Sequence, residues 1–155
     1  MNFLPININI EGQRIVIVGG GRVGLHKAQI LSRFTSDAKV ISPTFREGFH
    51  QLPFTMIKKH YERADLHGAL LVYACTEIAE LNAQIRRDAH AEGALCSVCD
   101  NPGHCDFTSP AILQADGMLV AVSSNARDVR RTVALRDAIE RWLGDSCQVQ
   151  TKIEQ

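Results

Sequence analysis

The sequence predicts an α/β fold in which a parallel sheet has helices on both faces and is followed by a short β-hairpin and a C-terminal helix. Two patterns support this prediction. In the first part of the chain, short runs of apolar and largely β-branched residues alternate with segments of helical periodicity, as is typical of buried parallel strands. Beyond residue 106 the alternation ends, and two apolar runs flank the turn signal Asp116-Gly117.

The predicted elements follow from these runs. The strand segments are RIVIV, AKVIS, FTMIKK, ALLVYACT and ALCSVCD, and the helical segments are VGLHKAQILSRF and AELNAQIRRDAHAEG. The last helix is predicted from Arg127 to Leu143, with an apolar stripe that includes Trp142. Residues 1–106 are thus expected to form the sheet domain, 107–145 the hairpin and helix, and 146–155 a frayed tail.

The composition excludes several classes of function. With 45% hydrophobic and 22% charged residues, the chain has the make-up of a soluble globular protein. Its 17 basic and 17 acidic residues balance, which argues against a nucleic-acid-binding surface. No stretch approaches the ~20 apolar residues of a membrane span, and the N-terminus lacks the pattern of a signal peptide. The five cysteines are expected to be free thiols in a reducing cytoplasm.

A glycine-rich loop follows the first predicted strand and opens the first helix. It has the form Gly19-x-Gly21-x-x-Gly24, and the loop also contains Gly20, Arg22 and Val23. In a Rossmann-like domain the first glycine permits a tight turn, the second admits a pyrophosphate and the third allows close helix–strand packing. The free N–H groups at the start of the helix attract the same anion. The strand, loop, helix and second strand together predict a dinucleotide site.

The end of the second strand leaves the choice between NAD and NADP open. NAD-specific sites usually have an acidic residue there, which holds the ribose 2′-hydroxyl. This chain has Ser42 and Pro43 instead, with Arg46 shortly after. Ser42 is able to hydrogen-bond the ribose, whereas Arg46 is able to meet a 2′-phosphate.

Four segments in order resemble one enzyme family. They are LPI...EGQRIVIVGGGRVGLHKAQIL, LLVYACTEIAELN, CSVCDNPGHCDFTSPAIL and GMLVAVSS. In this order and spacing, from Leu4 to about Ser124, they resemble precorrin-2 dehydrogenase, the NAD-dependent module that also forms the N-terminal part of sirohaem synthases. The resemblance implies oxidation of precorrin-2 to sirohydrochlorin, with NAD as hydride acceptor.

The resemblance also implies the site residues. Asp100 matches the family's catalytic aspartate, and a carboxylate there is able to accept a proton or orient the macrocycle. Thr76 and Asn82 match positions beside the cofactor, and Ser124 matches a serine at the edge of the substrate cleft. His104 lies just past Asp100 and is a candidate for substrate contact, although a solvated loop histidine fits the sequence equally well.

Precorrin-2, the tetrapyrrole that the resemblance implies as substrate, carries eight carboxylates and therefore needs cations. Arg127, Arg130 and Arg131 fall in the first turns of the last helix, where they are expected to bind substrate carboxylates. A solvated helix face with the same arginines is the alternative. A homodimer is also expected, since the hairpin and last helix have more apolar surface than one small domain covers.

Two rival functions remain at this point. A bifunctional enzyme would also insert iron, but the helical region that many family members carry after the serine pair is reduced here to one helix, so a separate ferrochelatase partner is expected. A non-catalytic module that senses NAD(H) is the second rival, although it has no need for the segment CDNPGHCDF.

Cysteines near the fifth strand resemble a metal site, but no metal is expected. Cys96 and Cys99 are followed by His104 and Cys105. A three-residue spacing on a strand points Cys96 and Cys99 to opposite faces, and a structural zinc site needs a fourth ligand that the sequence does not provide. Cys75 is expected to be a core residue.

Overall fold

The structure is a computed structural model that describes residues 2–99, 101–115 and 117–153, with the backbone alone for residues 145–153. The chain forms two compact units. The first is Leu4–Phe107, and the second combines Met1–Phe3 with Thr108–Gln155. Each unit is described separately below.

The first unit contains a five-stranded parallel sheet with the strand order β3-β2-β1-β4-β5. The strands are β1 Arg14–Val18, β2 Lys39–Ser42, β3 Thr55–Lys58, β4 Ala69–Ala74 and β5 Leu95–Val98. Two α-helices connect them, α1 Arg22–Leu31 and α2 Ala79–Ala91. The other connections contain only short 3-10 helices, at Phe49–Gln51 and Arg63–Leu66, and a third follows β5 at Pro102–His104. All five predicted strands are present.

The central strand β1 contributes to two separate hydrophobic cores. Ile15 and Ile17 pack on the side of the sheet that contains Ala28 of α1. Val16 and Val18 pack in the other cluster, with Ile85 of α2. Because successive strand residues point to opposite faces, this division confirms the predicted architecture of helices on both faces of the sheet.

The loop after β5 is fastened to the sheet by Asp106. The Asp106 amide donates to the Cys96 carbonyl oxygen at 2.8 Å, and its carboxylate accepts from the Cys96 amide at 2.9 Å. His90 Nε2 of α2 lies 2.6 Å from the same carboxylate, and an Arg86 nitrogen lies 3.5 Å away. The segment that follows Asp100 in sequence is therefore connected to both β5 and α2.

The second unit consists of an antiparallel hairpin and one helix. Strands β6 Ala111–Ala115 and β7 Met118–Val122 pair with Ala115 opposite Met118. Gly117 has φ of +74° in the connecting turn, the left-handed conformation that such two-residue turns require. The hairpin expected from the Asp-Gly signal is therefore present.

The final helix, α3, is Val129–Ile153 and differs from the prediction at both ends. It begins two residues after Arg127 because Asn125 and Ala126 adopt positive φ values of 54° and 59°, which a helix excludes. Asp128 then accepts a hydrogen bond from the Arg131 amide at 2.9 Å, as an N-cap residue does. Residues 146–153, predicted as a frayed tail, continue the helix, since no proline follows Leu143 to end it.

Several large apolar side chains of the second unit are exposed. Met118 and Leu119 of β7 are 71% and 54% exposed, and Leu135 and Trp142 of α3 are 52% and 66% exposed. The apolar stripe predicted for the last helix therefore lies largely on its surface within this chain. Within the described part of the chain, no helix is both long and apolar enough for a membrane span.

Candidate functional site

A cavity of about 690 Å³ lies at the carboxyl ends of β1, β2 and β4 in the first unit. Its floor is the glycine loop with the ends of β1 and β2, and its walls come from the segments after β2, β3 and β4. The loop residues among its lining are Gly19, Gly20, Gly21 and Arg22. Ligands of open parallel α/β sheets bind at this edge of the sheet, so the cavity is the candidate functional site.

The glycines of the loop are required for different reasons. Gly19 has φ of +125°, and a Cβ there would overlap the Cys75 carbonyl oxygen. A Cβ on Gly20 would overlap the Thr44 carbonyl oxygen, and one on Gly24 would overlap that of Gly19. At Gly21 the only described atom that a Cβ would meet within 4 Å is Glu77 Oε1, at 3.8 Å. The fold therefore requires Gly19, Gly20 and Gly24, whereas Gly21 leaves open space beside the cavity.

The start of α1 offers amide groups to an anion. Gly21 is the N-cap residue, and none of the described side chains caps the helix. The first helical hydrogen bond runs from the Leu25 amide to the Gly21 carbonyl oxygen at 3.0 Å. Amides of a first helical turn have no partner inside the helix and carry a positive partial charge. The open backbone at Gly21 and these amides fit the pyrophosphate of a dinucleotide.

Thr76 lines the cavity after β4, and Asn82 holds it in place. Asn82 is 1% exposed, and its Oδ1 accepts from the Thr76 amide at 3.0 Å and from Thr76 Oγ1 at 2.7 Å. Its Nδ2 donates to the Thr76 carbonyl oxygen at 3.0 Å. Asn82 is not among the cavity-lining residues. It therefore acts on the site through Thr76 rather than by facing the cavity itself.

The wall after β2 contains no carboxylate. Ser42, Pro43 and Arg46 all line the cavity, as the sequence predicts for the ribose end of the site. Ser42 is buried, whereas Arg46 is exposed and its amide donates to the Gly20 carbonyl oxygen at 2.8 Å. The charged lining residues are Arg22, Arg46 and Glu77, so the cationic side chains outnumber the acidic one. Val23, predicted as part of the site, is 41% exposed on α1 and is not a lining residue.

Several lining residues were not predicted from the sequence. They come from the segments that follow β2, β3 and β4, and they include Thr44, Phe45, His60, Tyr61, Cys75, Glu77, Ile78 and Leu81. A general signal was available, because residues just beyond the carboxyl ends of parallel strands form the ligand crevice. This rule predicts which segments line the cavity, but it does not predict which of their side chains face it.

The predicted catalytic and substrate residues are distributed over the two units. Asp100, the predicted catalytic residue, lies outside the described residues. His104, in the first unit, is exposed, and its Nδ1 lies 3.2 Å from Asn101 Nδ2. In the second unit Arg127, Arg130 and Arg131 are exposed.

Ser124 is engaged at the beginning of α3. Its hydroxyl accepts hydrogen bonds from the Asp128 amide at 2.9 Å and from Thr132 Oγ1 at 3.0 Å, and it donates to the Asp128 carbonyl oxygen at 3.1 Å. The two acceptor positions and the single donor of a hydroxyl are thereby used. Within its unit, Ser124 fixes the start of the helix on which Arg130 and Arg131 lie.

The cysteines near β5 are divided between the two faces of the sheet. Cys96 is buried in the core on the α2 side, whereas Cys99 packs against the core on the α1 side, as the three-residue spacing predicts. Cys75 is buried, as predicted, and its sulfur lies 2.7 Å from that of Cys99. Within the described residues, no three His, Cys, Asp or Glu side chains are grouped as a metal site.

A family model described as "Putative NAD(P)-binding" matches residues 6–111, which is more than half of the chain. The chain belongs to this NAD(P)-binding family. The match includes the whole sheet and the glycine loop. A nicotinamide dinucleotide as cofactor, predicted from the loop, is thereby confirmed for the family.

Relatives of this NAD(P)-binding chain include several siroheme synthases. That of Azotobacter vinelandii is 33% identical over 147 residues, which are 92% of this chain and 32% of the relative. That of Ectopseudomonas mendocina is 34% identical over 145 residues, 92% of this chain and 31% of the relative. The chain spans about a third of the length of these curated relatives. The resemblance found in the sequence is thereby confirmed.

A solved structure of SirC, precorrin-2 dehydrogenase, has the same fold. Its TM-score is 0.74, and the alignment covers 90% of this chain and 70% of that one. The sequence identity is 14%, so the likeness concerns the fold. It includes most of this NAD(P)-binding chain, and the Rossmann-like fold predicted from the sequence is confirmed.

Proposed function

We propose that this chain catalyses the NAD-dependent oxidation of precorrin-2 to sirohydrochlorin in sirohaem biosynthesis. The observation that carries the proposal is the alignment of 92% of the chain with siroheme synthases. The cavity above the glycine loop supports it, since its open backbone at Gly21 and the uncapped start of α1 suit a pyrophosphate. When bound, NAD⁺ accepts a hydride in such reactions.

The chain's own residues have two tasks at the cofactor. Gly19, Gly21 and Gly24 shape the loop so that the backbone amides reach the pyrophosphate. Thr76, held by Asn82 through three hydrogen bonds, forms the wall after β4 beside the cofactor. Ser42 and Pro43 border the ribose, and the resemblance to the precorrin-2 dehydrogenase family favours NAD. Arg46 makes NADP the second candidate cofactor.

The substrate residues are proposed from chemistry and resemblance. Asp100 serves as the general base or as the carboxylate that orients the macrocycle while hydride and proton leave the substrate. Arg127, Arg130 and Arg131, with His104, bind the carboxylates of the tetrapyrrole. Ser124 positions α3 through Asp128 and Thr132, so its effect on the substrate is exerted through the arginines.

An assay of NADH formation tests the function directly. Purified chain is mixed with precorrin-2 and NAD⁺ or NADP⁺, and absorbance reports the reduced nicotinamide. The wild type should produce NADH, and Asp100→Ala should lose at least about 100-fold in kcat, a typical contribution of a general base. Asp37→Ala, an exposed substitution before β2, is the matched control and should keep the wild-type kcat. Wild-type protein that binds NADH without turnover would overturn the proposal and favour the sensing module.

The same reaction mixture separates the dehydrogenase from the bifunctional alternative. Sirohydrochlorin and Fe²⁺ are supplied without NAD⁺, and sirohaem is followed by its absorbance. We expect no sirohaem above the rate of the uncatalysed reaction, so that a separate ferrochelatase completes the pathway. Sirohaem formation at a rate proportional to protein concentration would establish the bifunctional reading instead.

We also propose that the chain works as a homodimer in the cytoplasm. The exposed apolar residues of β7 and α3 support dimerisation, because exposed patches of this kind usually mark interfaces. Four described cysteines without a disulfide are compatible with a reducing compartment.

A further inference from the structure

Two cysteines form a cross-strand pair beside the dinucleotide cavity, and one of them, Cys75, is a lining residue. In the parallel register of β4 and β5, Ala74 is opposite Val98, so Cys75 and Cys99 are the next residues beyond that pair. The Cys99 amide donates to the Ala74 carbonyl oxygen at 3.0 Å, which keeps the two chains together at this point. Neighbouring strands lie about 4.8 Å apart, a separation within the range that a disulfide bridges.

The side chains of this pair also point at each other. Their sulfur atoms are 2.7 Å apart, whereas a disulfide bond measures about 2.05 Å. Both side chains pack on the α1 side of the sheet. A bond between them therefore requires only a small rotation of each side chain and no change of strand register.

We propose that Cys75 and Cys99 are a reversible dithiol–disulfide pair, a modification site at the dinucleotide cavity, and that a bound dinucleotide protects it. Cys75 lines the cavity, and its carbonyl oxygen is packed against Gly19 of the phosphate loop. A dinucleotide on that loop covers the approach to the pair from the cavity. Formation of the disulfide between Cys75 and Cys99 does not depend on whether the chain catalyses the proposed reaction.

The oxidant is a small disulfide such as oxidised glutathione. The Cys99 thiolate attacks one sulfur of the oxidant, releases one glutathione thiolate and forms a mixed disulfide. The Cys75 thiolate then attacks Cys99 Sγ and releases the second glutathione thiolate. The two thiols lose two electrons and two protons, and two molecules of glutathione gain them. Thiol–disulfide exchange follows this two-step course in general.

The order of the two steps follows from exposure. Cys99 is half-buried, whereas Cys75 is 6% exposed. The hydrogen bond with Cys99 and burial raise the pKa of the Cys75 thiol well above its ordinary value. Cys75 is therefore a poor first nucleophile and reacts as the second one, within the same molecule. Burial also raises the pKa of Cys96 to about 12, which makes Cys96 a suitable unreactive control.

The test uses the full chain in buffers with different ratios of reduced to oxidised glutathione. After acid quenching, alkylation and trypsin digestion, a peptide containing Cys75 should be linked to the peptide that contains Cys96, Cys99 and Cys105. Because Cys96, Cys99 and Cys105 lie in one tryptic peptide, the linked peptide alone does not show which of them is bonded to Cys75. Single variants identify the bonded cysteine. Cys99→Ala and Cys75→Ala should lose the linked peptide, whereas Cys96→Ala and Cys105→Ala should keep it.

Two further measurements complete the test. Oxidation should raise the Tm of wild-type protein by about 10 °C, in line with the usual effect of closing a loop of this length, and dithiothreitol should reverse the rise. Saturating NADH should slow formation of the bond by at least about fivefold, because access limits the exchange. The proposal is overturned if folded wild-type protein forms no linked peptide at any ratio, if Cys99→Ala keeps it, or if NADH leaves the rate unchanged.

Discussion

At the scale of single residues, some glycines of the glycine loop are required by the fold, whereas Gly21 is required by the proposed ligand. Gly19, Gly20 and Gly24 are surrounded by backbone carbonyl groups that a Cβ would overlap. Gly21 has φ of −81°, which any residue adopts, and its Cβ position is nearly empty. A side chain at Gly21 therefore costs the fold little, but it occupies the space into which a pyrophosphate approaches.

This difference gives a prediction for two alanine variants. Gly21→Ala should keep the wild-type Tm within about 2 °C and raise the Kd for NADH at least about tenfold, a loss of about 1.4 kcal/mol of binding free energy. Gly24→Ala should instead lower the Tm, because its methyl group would overlap the Gly19 carbonyl oxygen. Scanning fluorimetry and NADH fluorescence titration measure both effects. Equal loss of Tm in the two variants would contradict the distinction.

Arg127, just before α3, and Arg130, in its first turn, give a second prediction at this scale. Arg127→Gln and Arg130→Gln remove one charge each from exposed positions, so the Tm should stay near that of the wild type. If these side chains bind substrate carboxylates, the KM for precorrin-2 should rise at least about fivefold while the KM for NAD⁺ changes less than about twofold. Arg141→Gln, further along the same helix, is the control. Unchanged kinetics would assign the arginines to a solvated helix face.

At the scale of elements, the loop after β5 depends on one carboxylate. Burial alone would raise the pKa of Asp106, but the hydrogen bonds from the Cys96 amide and from His90 outweigh it, so the pKa of Asp106 lies below its ordinary value of 3.8. A carboxylate with a lowered folded-state pKa stabilises the fold above its unfolded pKa. That contribution is lost as the pH falls through the lower, folded-state value.

The corresponding prediction concerns acid stability. The free energy of unfolding, measured with urea from about pH 6 to about pH 3, should fall more steeply for the wild type than for Asp106→Asn, because the variant has no proton to take up at this position. The difference between the two proteins should be largest above pH 3.8 and should shrink below it. Asp37→Asn, an exposed substitution before β2, provides the control. Parallel curves for wild type and Asp106→Asn would contradict the prediction.

The elements that the sequence predicted well are those with a local physical cause. The β-branched runs around Ile15–Val18 and Leu71–Tyr73 are buried on both sides and can be recognised as strands without any long-range information. The start of α3 was predicted two residues early, because the apolar pattern does not reveal the left-handed conformation of Asn125 and Ala126. The Phe3 amide also donates a hydrogen bond to Asn125 Oδ1, a contact that the sequence does not reveal either.

At the scale of the whole molecule, the smaller second unit contains six large apolar residues that are at least 37% exposed. Its two-stranded hairpin and α3 leave Met118, Leu119, Leu135 and Trp142 more than half exposed. Two-stranded sheets are rarely stable without further packing. A second copy of the chain would provide such packing.

A dimer prediction follows from this surface. The mass in solution should be twice the chain mass of 17.1 kDa, measured by light scattering after size exclusion. Met118→Glu and Leu135→Glu each place a charge within the exposed apolar residues and should shift the protein to the monomer. Gln84→Glu, on an exposed position of α2, should leave the mass unchanged. A wild-type monomer at all concentrations would contradict the proposed dimer.

The cavity shows where prediction from the sequence ended. The glycines of the loop could be identified from the sequence because they are close together in the chain and have a defined geometric role, whereas Val23 was included in the predicted site although it does not line the cavity. His60, Tyr61 and Glu77 were missed because they come from segments that meet only when β2, β3 and β4 align their carboxyl ends. The contact between Cys75 and Cys99 was missed for the same reason, since it depends on the register of two strands.

The nearly empty space around the Cβ position of Gly21 has a consequence for the evolution of proteins with this fold. A lineage that no longer binds the dinucleotide could acquire a side chain at residue 21, because the substitution would change the stability of the fold very little. The same lineage would lose stability if it replaced Gly19 or Gly24, because a Cβ at either position overlaps a backbone carbonyl oxygen. Among proteins with this fold, the residue at position 21 should therefore distinguish those that still bind a dinucleotide from those that keep only the fold.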